Sequence, residues 1–216
     1  MSIEQDFFNE KEYSDKIFFL FKNGNAVSMA YTTLERHLKA AEIQIHRIWS
    51  SIPKAQESVE SLNPPKSFKE QSQYLRQVRK LYDPVFIDIH FYFISWNGIR
   101  RMIKFFSKIL ELKINEVFPE ISGMFQSHKD IRDAIEHFDE RLPGEKYEHR
   151  VKEIIQSPGC APSKIYGGIS SDGCYLFGDK KIDIKLESFL TLKKMTIEII
   201  DHINQIVDDL IKSKKT

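Results

Sequence analysis

From Val27 onward the apolar residues recur at positions 27, 31, 34, 38, 41, 45, 48 and 52. Steps of four and three alternate without a break, as in an amphipathic helix whose one long seam is buried in a bundle. That seam cannot be buried by its own helix, so the rest of the chain must supply partners. The end of the sequence supplies one, because Phe189, Leu192, Met195, Ile199, Ile203, Ile206 and Leu210 repeat the steps with polar residues opposite. Between the two, Ser67 to Leu81 reads as a more polar helix. Pro84, favoured at a first helical position, then opens a helix to about residue 113. Its Phe86, Phe91, Phe93, Ile94, Trp96, Ile99, Ile103 and Phe106 lie on several faces, which predicts the central, most buried helix. Ser127 reads as an N-cap for a helix with the stripe Ile131, Ile135, Phe138 and Leu142, stopped by Pro143-Gly144.

Residues 164–186 break this pattern, with short β-rich runs separated by Asp-Gly and Gly-Asp. They read as a β-hairpin or three-strand meander in which Ile182, Ile184 and Leu186 face the bundle. The expected fold is all-α: an antiparallel helical bundle forming a single domain over 1–216, with a β insertion at 164–186 before the last helix.

Charge narrows the partners little. The 216 residues carry 32 Lys+Arg against 31 Asp+Glu, a net charge of +1, so any preference for a polyanion must be local. The longest apolar stretch, Val85 to Phe106, is interrupted by Asp88, His90, Arg100, Arg101 and Lys104, and no membrane span is expected. An acidic N-terminus, Met-Ser-Ile-Glu-Gln-Asp, is unlike a secretory signal and predicts a cytoplasmic location. Cys160 and Cys174 have no zinc-site spacing. They read as reduced thiols, although a disulfide across that segment is geometrically conceivable.

The chain has no Gly-rich phosphate loop, no Gly-x-Ser-x-Gly, no His-Glu-x-x-His and no Glu-x-x-His pair. The common nucleotide and metal enzymes are therefore disfavoured. His46, four residues after Glu42 and beside Glu35 and Trp49, reads as a boundary histidine, and His90 as a core one. A metal-binding bundle is the weakest of the readings and would require His46, His90 and His137 to meet.

Lys129 to Leu142 is different. It places Arg132, Asp133 and His137 on one amphipathic helix. A guanidinium can hold the charge of a phosphorane while an imidazole moves the proton of a 2′-hydroxyl or leaving oxygen, which is the equipment of metal-independent RNA cleavage. No cofactor is needed. Arg-x4-His with a polar residue after the Arg, late in a helical domain, resembles the HEPN family of helical ribonucleases and binding domains. That resemblance implies Arg132 and His137 as catalytic residues, with Asp133 orienting them. It also implies a homodimer in whose interface the motifs of two chains meet, RNA as substrate, and a toxin or defence role with a nucleotidyltransferase antitoxin as partner. An offset of five residues turns about 140° around a helix, which suits a site completed across a two-fold axis better than one within a chain.

Local charge agrees. Arg101, Lys104 and Lys108 form a basic stripe at helical spacing that can track a phosphate backbone, and Lys66, Lys69, Arg76, Arg79 and Lys80 stand against a single acid, Glu70. The alternative is a non-enzymatic helical interaction module, in which Arg132 pairs with Glu136 and Asp133 with His137 merely to support the helix.

Overall fold

The computed structural model describes residues 16–18, 20, 24–111, 119, 123, 125, 128, 129, 132, 165–178 and 180–214. Three long helices dominate these: α1 (Gly24–Glu60), α2 (Phe68–Ile109) and α3 (Leu186–Lys214). A three-stranded antiparallel sheet, β1 (Ile165–Ile169), β2 (Cys174–Gly178) and β3 (Lys180–Asp183), precedes α3 in the order β1-β2-β3. The all-α bundle with a small β insertion is thus the observed architecture.

Every member of the α1 seam is buried, from Val27 through Tyr31, Leu34, Leu38, Ala41, Ile45 and Ile48 to Ile52. It packs on α2, where Arg47 Nη2 lies 3.2 Å from the carboxylate of the buried Asp88 and His37 rests on Gly98, so the two helices are antiparallel. Against α3, Lys193 Nζ donates to Glu42 Oε1 at 2.6 Å and Tyr31 Oη to Asn204 Oδ1 at 3.1 Å. α1 is therefore antiparallel to both neighbours, and α2 and α3 run the same way.

The centre is aromatic. Tyr92, Phe93 and Trp96 of α2 are fully buried; Trp96 meets Phe189 of α3 with ring centroids 6.1 Å apart, and Phe93 meets Tyr175 of β2 at 5.6 Å. Burial raises the Tyr175 hydroxyl to about 12. The cross-strand pair Tyr175 and Ile182 turns inward, with Ile184 buried just beyond β3, so the sheet caps the flank of the bundle. The β1–β2 turn relies on Gly173, whose φ of 76° is one that other residues rarely adopt.

Several expectations are corrected. Pro84 does not begin a helix; it lies inside α2, which runs unbroken from the Ser67 N-cap, whose side chain accepts from Glu70 N. Likewise α1 passes through Pro53 and continues to Glu60. Both prolines are exposed, while Val85 and Ile89 after the one and Ile52 and Ala55 around the other are buried. Continuous burial offsets the roughly 3 kcal/mol that an interior proline costs. On α3 the buried seam takes in Thr196, Ile200 and Val207, while Met195 and Ile206 are only partly buried and Leu210 is exposed. Phe91 is half exposed rather than core, and Leu186 is an exposed first residue of α3 rather than part of the sheet face. Cys174 is a buried free thiol; Cys160, like most of the expected Ser127–Leu142 helix, lies outside the described residues.

Candidate nucleic-acid interface

The C-terminal half of α2 carries two stripes in opposite phase. Trp96, Ile99, Ile103 and Phe106 turn into the core, the buried Asn97 lies at its edge, and the repeat of Arg100, Arg101, Lys104 and Lys108 is left on the outer side. This side is concave, because Arg132 reaches it from the segment after α2. Asn97, Arg100, Arg101, Lys104, Phe105, Lys108 and Arg132 together line a cleft of about 480 Å³. The sequence-derived residues Arg101, Lys104, Lys108 and Arg132 thus stand in one place, although 24 positions separate Lys108 from Arg132.

His128, one turn before Arg132, supplies the anchor. It is buried against Tyr92, Phe93 and Trp96 with ring centroids 6.0, 5.7 and 5.8 Å away, so the aromatic centre of α2 holds the helical residues 128, 129 and 132 over its basic side.

Among the described residues, no Asp or Glu lines the cleft. Arg100 Nε donates to Asn97 Oδ1 at 3.3 Å, which lays that guanidinium along the helix. Arg101, Lys104 and Lys108 form no ion pair with any of the described residues. Five cations held in one concavity repel each other. Such a concentration of positive charge makes the cleft a local attractor for phosphate in a molecule whose net charge is only +1.

Sequence reasoning missed His37. Its imidazole lies against the Gly98 backbone so closely that a Cβ at position 98 would overlap the ring. Burial first, and then the charge of Arg101, hold its pKa below the ordinary 6.5, so it is neutral at pH 7 beside a cleft-lining guanidinium. A glycine inside an otherwise apolar helix was the available signal, since it costs about 1 kcal/mol relative to Ala and marks a close approach.

Asp133 and His137 lie outside the described residues. The expected companionship of Glu42 with His46 is not formed. Glu42 accepts from Lys193, Glu35 pairs with Lys39 at 2.6 Å, and His46 is exposed. His90 is half-buried beside Phe91, with centroids 5.9 Å apart. Among the described residues no three His, Cys, Asp or Glu side chains gather at metal-binding distance, and no helix is long and apolar enough to cross a membrane.

Compared with protein-family models, with curated proteins and with solved structures, the chain matches none.

Proposed function

We propose that this protein binds RNA along the basic side of α2 and cleaves it without a metal ion through Arg132 and His137. One observation carries the reading: Arg132, singled out by its chemistry, shares a cleft with Arg101, Lys104 and Lys108, singled out by their spacing. The lysines and Arg101 hold the backbone on either side of the scissile phosphate, and Arg132 holds the charge that builds on it. His137 moves the proton between the 2′-hydroxyl and the leaving 5′-oxygen, leaving 2′,3′-cyclic phosphate and 5′-hydroxyl ends. The site is completed in a homodimer, Arg132 of one protomer acting with the partner's His137.

The test is cleavage of RNA by the purified protein in excess chelator, with product ends identified. Chelator-resistant cleavage that falls by about a hundredfold or more in both Arg132→Ala and His137→Ala is the expected outcome. A well-folded wild type that neither binds nor cleaves a panel of RNAs would sink the proposal and leave the helical interaction module in its place.

A further inference from the structure

A cavity of about 1040 Å³ lies at the opposite end of the α1–α2 pair. Pro53, inside α1, is part of its lining. The contacts of Arg47 with Asp88 and of His37 with Gly98 set the register of the antiparallel helices and carry Pro53 to the level of Tyr82 and Asp83, beside Pro84. Each proline removes one helical N–H and presses on the carbonyl four residues back, so the Trp49 and Lys80 carbonyls lose their helical donors at the same level. Past it the seam is open, and Leu75 of α2 is 57% exposed. The β1–β2 turn closes the third side.

Four aromatic side chains, Trp49, Tyr82, Phe86 and Tyr175, stand in its walls. Tyr82 and Phe86 stand 6.2 Å apart by ring centroid, and Phe86 and Tyr175 6.5 Å, giving a continuous aromatic surface. Trp49 faces the same space and is fixed there, because its Nε1 donates to the Ile184 carbonyl at 2.8 Å. Arg79 and Asp83, one turn apart, line the cavity, yet they pair neither with each other nor with any other described residue. A large, mostly apolar concavity with a few convergent polar groups is the usual form of a small-molecule site. Flat aromatic walls accept a flat ring. A carboxylate accepts two N–H groups from an amidine-like edge, and a guanidinium grips an anion with two parallel bonds.

We infer that this cavity binds a planar heteroaromatic small molecule bearing a paired N–H edge, read by Asp83, and an anionic substituent, held by Arg79. Guanine mononucleotides and pterin-glutamates share that chemistry. The site is independent of the RNA cleft and survives or fails without it.

Calorimetric titration of the full chain tests this with guanosine monophosphate and folic acid as the two sources, and with adenosine monophosphate and guanosine as controls. At least one of the first two should bind saturably, with adenosine monophosphate about tenfold weaker or more. Asp83→Asn should erase the preference for the guanine or pterin edge. Arg79→Ala should weaken the anionic ligand about tenfold and leave guanosine unchanged. Both side chains are exposed, so these variants keep the fold, and circular dichroism verifies it. Absence of saturable binding by both probes up to about 1 mM overturns the inference. So does binding that neither variant alters.

Discussion

The two ends of the α1–α2 pair are built from the same pair of amphipathic helices and finish as different surfaces. At one end Gly98 carries no side chain, so His37 settles onto α2, the seam stays closed, and the cations of α2 are left on a shallow outer cleft. At the other end, where Pro53 is part of the lining, a cavity more than twice as large takes its place, about 1040 against 480 Å³. Apolar periodicity sets which faces meet. At Gly98 a glycine then decides how closely, because it lacks the Cβ that keeps backbones apart.

The largest contrast between the ends is in stability. Trp96→Ala, at the closed and aromatic level, should cost about 3–5 kcal/mol in denaturant unfolding, whereas Leu75→Ala at the open end should stay within about 0.5 kcal/mol of wild type. Equal losses would mean that the open end is packed after all. Gly98→Ala comes next, at about 1–3 kcal/mol, since the new methyl meets the His37 ring. Adding His37→Ala should recover part of that loss, and a double-mutant cycle with zero coupling would show that the two residues do not press on each other.

The smallest effect is a pH dependence. His37 has a folded pKa below its unfolded value of 6.5, through burial and then Arg101, so the unfolded chain takes up a proton that the folded chain refuses. Its contribution is complete above 6.5 and is lost as pH falls through 6.5 towards the lower folded value. His37→Gln should therefore lose less stability than wild type between neutral and mildly acidic pH. Identical acid profiles would remove His37 from the account.

The fold was legible wherever a helix buries one side. All eight α1 seam positions were readable from spacing and all eight are buried. The prolines were not, because a single missing N–H is a local cost and the burial that overrides it comes from neighbours distant in sequence. On α3 the spacing marks the helix but only part of its buried face, which also takes in Thr196, Ile200 and Val207. At the site, types and spacing revealed Arg101, Lys104, Lys108 and Arg132 as cations of interest. Their meeting in one cleft depends on His128 docking among the α2 aromatics, and His37 enters only through Gly98. Neither contact has a local signature.

The central claim is that polyanion binding belongs to the closed end alone. The direct measurement is the affinity of the protein for single-stranded RNA across a salt series, comparing wild type with an Arg101→Ala/Lys104→Ala/Lys108→Ala triple variant and with Lys69→Ala/Arg76→Ala/Lys80→Ala on the N-terminal half of α2. The account predicts that the first triple variant lowers the slope of log K against log salt by about 0.7 for each phosphate contact removed, and that the second leaves it unchanged. An unchanged slope in the first, or an equal loss in the second, would contradict it.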